Sequence, residues 1–259
     1  MLIALTRGVS STLGDCELQE LDREPIDIAK AIEQHRSYEG CLEELGARVV
    51  ALPADARFPD GVFVEDPALV LDEIAVLTRM GAESRRGEGE SIANALAEYR
   101  PLQWIREPGT LEGGDVMRIG KTLYAGLSRR TNQEGIAQLR EFTAPFGYQV
   151  IGAPVHGCLH LKSACCYLGD ETILANRAWI DASFFSEFRI IDVPEVEPRA
   201  GNVLRVGETL ILPEAFPKTR ELLEQCGFHV RTVDVSELAK AEGAVTCTCI
   251  LFDSTTSSR

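Results

Sequence analysis

Long apolar runs are missing from this chain. None approaches the roughly 18 residues that a membrane-spanning helix requires, so an integral helical membrane protein is excluded. The opening residues, MLIALTRGVSS, carry no basic leader and too short an apolar stretch for a secretory signal. Positive charge is scarce. The chain has 26 Lys and Arg against 40 Asp and Glu, a formal net charge of −14. Nucleic-acid binding rests on neutralising phosphates, and this balance argues against it. An acidic chain suits a small cationic ligand instead. Low-complexity linkers are absent too. Residues 1–252 therefore read as a single domain, with a polar tail over 253–259.

What is present is ordinary for a globular protein: 259 residues, 45% hydrophobic and 25% charged. Eight cysteines are spread along the chain with no export signal, and two of them, Cys165 and Cys166, are adjacent. That usage fits reduced thiols and a cytoplasmic location better than a disulfide framework. Two more, Cys247 and Cys249, lie in GAVTCTCILF near the end of the chain. If this run is a strand, alternation puts both sulfurs on one face.

Four segments read as strand, tight turn, strand: FVEDPALVLDEIAVLTR, EGGDVMRIGKTLYAGLS, HLKSACCYLGDETILANRAW and AGNVLRVGETLILPEAF. Their expected turns are Asp72-Glu73, Gly120-Lys121, Gly169-Asp170 and Gly207-Glu208, spaced by 48, 49 and 38 residues. A helical stretch and another short strand follow most of them. TNQEGIAQLREF shows Thr131 and Glu134 at capping-box spacing, and Gly227 closes PKTRELLEQC. The third unit has only a short helical signal, in WIDASFFSEF. A first helix is expected over residues 28–45, ended by Gly46. The unit is thus ββαβ, written four times. The first strand, LIALT, and the last, VTCTCILF, supply the missing hairpin of a fifth. A split unit of this kind favours a ring closed by the two terminal strands.

Equivalent positions in such a ring point at its axis. Just ahead of the hairpins stand Glu65 and Asp66, then Glu112 and Asp115, then His160, then Asn202, with Cys247 on the last strand. Arg85-Arg86 and Arg129-Arg130 precede helices in successive units. A thiolate can act as nucleophile and a histidine as acid or base. Paired carboxylates fit a planar guanidinium, and arginines further out fit a carboxylate. A molecule with those two ends is arginine or a derivative of it. Each residue also has a plainer reading. His160 between two leucines suits a core, Glu65 and Asp66 suit a turn before Pro67, and the arginines suit solvated helix starts. His156, Cys158 and His160 have a spacing that zinc could use, but Gly157 and the lack of a helical pattern speak against a metal site.

At these residues the chain resembles the dimethylarginine dimethylaminohydrolases of the guanidino-group-modifying (pentein) superfamily. The motifs that carry the resemblance are EQH, RFPDGVFVEDP, GAESRRGE, GTLEGGD, GLSRRTNQEG, LHLKS and the terminal VTC, running from the first strand to Phe252. The resemblance implies an α/β fold, a five-bladed pseudo-symmetric α/β propeller, with no cofactor and no metal. It implies hydrolysis of methylated arginine to citrulline through a covalent thiouronium intermediate. By motif, Cys247 would be the nucleophile, His160 the acid–base and Glu112 its carboxylate partner. Glu65 and Asp66 would hold the guanidinium, Arg85 and Arg130 the α-carboxylate, and Asp60 the α-ammonium. Leu18 would sit on a lid formed by residues 7–25, and the backbone of Ala241 would make a further substrate contact. The expected partner is the small-molecule substrate alone, with no nucleic acid and no membrane, in a monomer or homodimer. An arginine deiminase and a non-catalytic binder of arginine analogues are the alternatives.

Overall fold

The computed structural model describes residues 1–254. Residues 255–259, most of the polar tail read from the sequence, lie outside the described part. Five three-stranded sheets surround a central axis. The first takes its inner pair from the two ends of the chain. Strand β1 (Leu2–Arg7) is followed by helix α1 (Ile28–Glu44) and β2 (Arg48–Leu52). The last strand, β15 (Ile250–Asp253), pairs antiparallel with β1, Leu2 opposite Asp253, while β2 pairs parallel on the other side. The split unit is therefore formed, and it closes the ring.

The other sheets repeat one plan, an antiparallel hairpin joined by a parallel third strand. The second contains β3 (Ala68–Val70), β4 (Ala75–Leu77), α2 (Gly89–Leu96) and β5 (Leu102–Trp104). The third contains β6 (Val116–Ile119), β7 (Thr122–Leu127), α3 (Gln133–Thr143) and β8 (Gln149–Pro154). The fourth opens with a single helical turn, α4 (Leu161–Ala164), and contains β9 (Cys165–Gly169), β10 (Thr172–Ala175) and β11 (Arg189–Asp192). Its crossover is only a 3-10 turn at Ala182–Phe185, as the weak helical signal suggested. The fifth contains β12 (Leu204–Val206), β13 (Thr209–Pro213), α5 (Pro217–Gln225) and β14 (His229–Val233), and a short helix α6 (Ser236–Ala239) leads back to β15.

The middle strands are apolar on both faces because both faces are covered. In β4 and β10 every residue is buried. Five apolar clusters result, each shared by two neighbouring sheets. Leu5 and Phe252 of the first sheet meet Ala75 and Leu77 of the second under α2. Val76 meets Leu123 under α3, and Tyr124 meets Ile173. Leu174 meets Leu210 against Leu223 of α5. Ile211 and Val233 meet Ala4 and Tyr38 of α1. No sheet has a core of its own, so the ring is one cooperative body. Among the described residues no helix is long and apolar enough to cross a membrane.

Three local expectations differ from the structure. The third hairpin turns at Asp170-Glu171, one residue later than read, with Gly169 paired to Thr172. Both loop residues have positive φ, 47° and 53°, as a two-residue loop of that hand requires. Helix α3 is capped by Asn132, whose side chain accepts from the Gly135 amide, and not by Thr131. Cys247 and Cys249 are not on one strand face. Residues 245–248 form a turn, and β15 begins only at Ile250.

Candidate active site

The segments just ahead of the hairpins gather at one end of the axis, where two glycines let them approach. A Cβ on Gly113 would lie 2.0 Å from the Glu65 carbonyl oxygen. A Cβ on Gly114 would lie 2.6 Å from His160 Nδ1 and 2.8 Å from Asp66 Oδ1. Both distances are shorter than carbon contacts allow, so the EGGD motif is a requirement of packing between three sheets. Backbone groups complete the stitching. Gly113 N–H donates to the Asp66 carbonyl at 2.9 Å, and Gly114 N–H donates to Asp66 Oδ1 at 3.1 Å. Leu161 N–H donates to Asp115 Oδ1 at 3.0 Å, which ties His160 to the third sheet. Asp115 thus serves the scaffold.

The His160 ring lies between two carboxylates. Its Nε2 is 2.7 Å from Glu112 Oε2, and its Nδ1 is 3.8 Å from Asp66 Oδ1. Burial alone would lower the imidazole pKa. The charge of Asp66 and the hydrogen bond to Glu112 outweigh it and raise the value to about 9. For Glu112, burial would raise the pKa, but His160 above all, with Arg85 and Arg130, holds the carboxyl well below its ordinary range. Glu112 Oε1 is fixed by the Gly81 amide at 2.9 Å and by Arg130 Nη1 at 3.3 Å. Its own amide donates to Thr131 Oγ1, which explains why Thr131 is not free to cap α3. At neutral pH this is an imidazolium–carboxylate pair. Asp66, Glu112 and His160 each offer a ligand atom within 4.8 Å of the others. A cation there would have to displace a firmly held proton. The spacing of His156, Cys158 and His160 does not assemble, since His156 is exposed and stands outside that cluster.

Cys247 is half-buried in the turn of residues 245–248 and lines a cavity of about 130 Å³ with Leu159, Trp179, Asn202 and Phe216. Burial raises its thiol pKa strongly, and the charges of Glu65 and Asp66 raise it further. Glu65 accepts from Lys162 Nζ and from Thr246 Oγ1. Its amide donates to the Cys247 carbonyl at 3.1 Å. Cys249 faces the other way. It is buried under α1 with its sulfur 2.9 Å from the Tyr38 hydroxyl.

The arginine pairs divide alike. Arg86 and Arg129 are exposed, while Arg85 and Arg130 are buried. Arg85 donates to Asp66 from Nη1 and to Glu88 from Nε and Nη2. Arg130 donates to Glu112 and, from Nε, to Gln19 Oε1 in the segment between β1 and α1. The segment of residues 7–25 is seated on the ring. Asp60 accepts from the Glu17 amide at 3.0 Å, and Glu242 Oε1 accepts from the amides of Gln19, Glu20 and Leu21. Leu18 packs on the same apolar cluster as Ala241 and Cys247. Cys247, His160, Glu112, Glu65, Asp66, Arg85 and Arg130 thus converge on one end of the axis, with Asp60, Leu18 and Ala241 where the segment of residues 7–25 meets the ring. Sequence reasoning left three participants without a role: Lys162, Glu88 and Glu242. The first two were signalled by their places in LHLKS and ESRRGE. Glu242 was not signalled, because its partners are backbone amides more than 200 residues away.

Residues 16–252 match the protein family described as N,N dimethylarginine dimethylhydrolase, eukaryotic. An N(G),N(G)-dimethylarginine dimethylaminohydrolase of Pseudomonas aeruginosa is 40% identical over 87% of this chain and 90% of its own length. One of Streptomyces coelicolor is 40% identical over 94% of both chains. Among solved structures, a cysteine-to-serine variant of the P. aeruginosa protein complexed with citrulline superposes with a TM-score of 0.93 at 38% identity, covering 96% of this chain and 98% of that one. That fold is the five-sheet pentein propeller described above. With this cover and identity, the chain belongs to the dimethylarginine dimethylaminohydrolase family.

Proposed function

We propose that the chain hydrolyses Nω-methylated arginines, asymmetric dimethylarginine and monomethylarginine, to citrulline and dimethylamine or methylamine. The observation that carries this reading is geometric: Cys247 is joined to Glu65 through the Glu65 amide at 3.1 Å, and the neighbouring Asp66 faces a His160 ring whose Nε2 is 2.7 Å from Glu112. The names of the relatives and the citrulline complex of one of them support it.

A guanidinium between Glu65 and Asp66 adds a second positive charge to carboxylates that already pair with Lys162 and Arg85. It offsets the carboxylates' effect on Cys247, so the thiol loses its proton to solvent when the cation binds. The thiolate adds to the guanidino carbon. The His160 imidazolium gives its proton to the methylated nitrogen, the C–N bond breaks and the amine leaves. Neutral His160 then takes a proton from water as its oxygen adds to the thiouronium carbon. The C–S bond breaks as the hydroxyl proton of the adduct passes to the leaving sulfur, which restores the thiol, and citrulline departs. Glu112 holds His160 in orientation and stabilises its cationic form. Arg130, and Arg85 through its remaining Nη1 hydrogen, take the α-carboxylate. Asp60 takes the α-ammonium, the Ala241 backbone makes a further contact, and Leu18 closes over the site.

The test is citrulline release from asymmetric dimethylarginine, monomethylarginine and arginine in parallel. Turnover of the methylated substrates is expected. Turnover of arginine alone would make the chain a deiminase, and ligand binding without citrulline from any substrate would make it a binding protein.

A further inference from the structure

We propose that Asn202 is a positioning residue for the reaction: its side-chain amide holds the turn that carries Cys247 and, through Thr246, aims Glu65 at the guanidinium. The inference rests on the roles given above to Cys247 and Glu65. Asn202 stands ahead of the fifth hairpin, at the ring position that Glu112 and His160 occupy in the third and fourth sheets. Motif resemblance assigns it nothing.

Its side chain is 3% exposed. Oδ1 accepts from the Thr246 amide at 3.1 Å. Nδ2 donates to Thr246 Oγ1 at 2.9 Å and to the Lys162 carbonyl at 3.0 Å. Both amide hydrogens are thereby used, and the amide bridges the residue before the nucleophile to the residue two beyond His160. The bond to Thr246 Oγ1 has a direction. Because that hydroxyl accepts from Asn202, its single proton is left for Glu65 Oε2, 2.8 Å away. Glu65 Oε1 is held by Lys162, and the Glu65 amide returns to the Cys247 carbonyl. Asn202, Thr246, Glu65 and Lys162 thus form a closed circuit around the nucleophile. Asn202→Asp keeps the shape but turns the donor into an acceptor. The Thr246 proton then turns to the new carboxylate, Glu65 loses its fixed orientation, and the Lys162 carbonyl loses its donor.

The experiment measures citrulline release by Asn202→Asp, Thr246→Val and the double variant, with Cys247→Ser beside them and folding checked by circular dichroism. Each single change is expected to lower kcat/KM about 10²-fold, the cost of a small misplacement at a reacting centre. KM rises because Glu65 is misaimed, and kcat falls because Cys247 is misplaced. The double variant is expected to be no worse than the more damaged single one, since both break one circuit. The Asn202→Asp deficit relative to the wild type shrinks toward acid pH, where the carboxyl regains a proton to donate. A merely structural loosening gives no such recovery. Folded single variants within about threefold of the wild type, or losses that add and ignore pH, overturn the proposal. If Asn202→Asp does not fold, Thr246→Val interrogates the same circuit from its other side, and full activity there overturns the proposal. Turnover retained by Cys247→Ser would instead overturn the nucleophile assignment, and this inference with it.

Discussion

Cys247 and Cys249 are separated by one residue and share little else. Both thiols are pushed up, Cys249 to about 12, and in both burial is the largest cause. The remaining causes overlap only in part. At Cys247 the next contributions are the charges of Glu65 and Asp66, which a bound cation can neutralise. Cys249 lies under α1 against Tyr38; there burial comes first, the Tyr38 hydroxyl offsets part of it, and the Glu65 charge enters only after both. An unreactive resting thiol is therefore compatible with a nucleophile, provided that the substrate itself removes part of what holds the proton. Sequence adjacency says nothing about this; the neighbours across the ring decide it.

The sharpest way to break the comparison is to remove each sulfur in turn. Cys247→Ser is expected to lower citrulline release on the order of 10⁴-fold or more, as for other nucleophile deletions. Cys249→Ser should stay within about threefold, the range of a tolerated isosteric change. Equal losses in both would show that the two thiols are not distinct in role.

A smaller effect sharpens the other half of the chemistry. His160 is raised from 6.5 to about 9. Its pairing therefore adds stability that is fully present below 6.5 and is lost as pH rises through about 9. Turnover that needs the imidazolium should fall above the same pH. Glu112→Gln removes the paired charge, so the alkaline limb of the kcat profile should move down by about one unit or more, with kcat about 10²-fold lower. An unmoved limb would mean that another group sets it. The smallest effect belongs to Tyr38→Phe. The hydroxyl donates to the Val245 carbonyl at 2.7 Å and touches Cys249. Its loss should cost about 1 kcal/mol of stability in a denaturant titration, with kcat/KM nearly unchanged.

Much of the ring was legible because its signals are local. Gly120 and Gly207 stand where two-residue hairpin loops need positive φ, and both have it. The turn at Asp170-Glu171 was misread because Gly169 also has positive φ, 97°, so three successive residues carry the same signal. The convergence of Glu112, His160 and Cys247 followed from counting units, since equivalent places in a ring face one axis. The turn at Cys247 was not legible. VTCTCILF has the β-branched and apolar content of a strand. What bends its first half is distant in sequence: the Asn202 amide on Thr246, and the Glu65 amide on the Cys247 carbonyl. Glu242 was hidden for the same reason.

Ring closure also bears on how the molecule is made. Strand β1 finds β2 as its parallel neighbour within some fifty residues. Its other edge waits for Leu2 to meet Asp253. Until then a long apolar strand edge stays unpaired, the kind of surface on which chains associate wrongly. Cys247 lies in the turn that leads into β15, so whatever leaves β15 unpaired exposes an adhesive edge and also unseats that thiol. The strand that closes the ring thus also sets the place of the thiol.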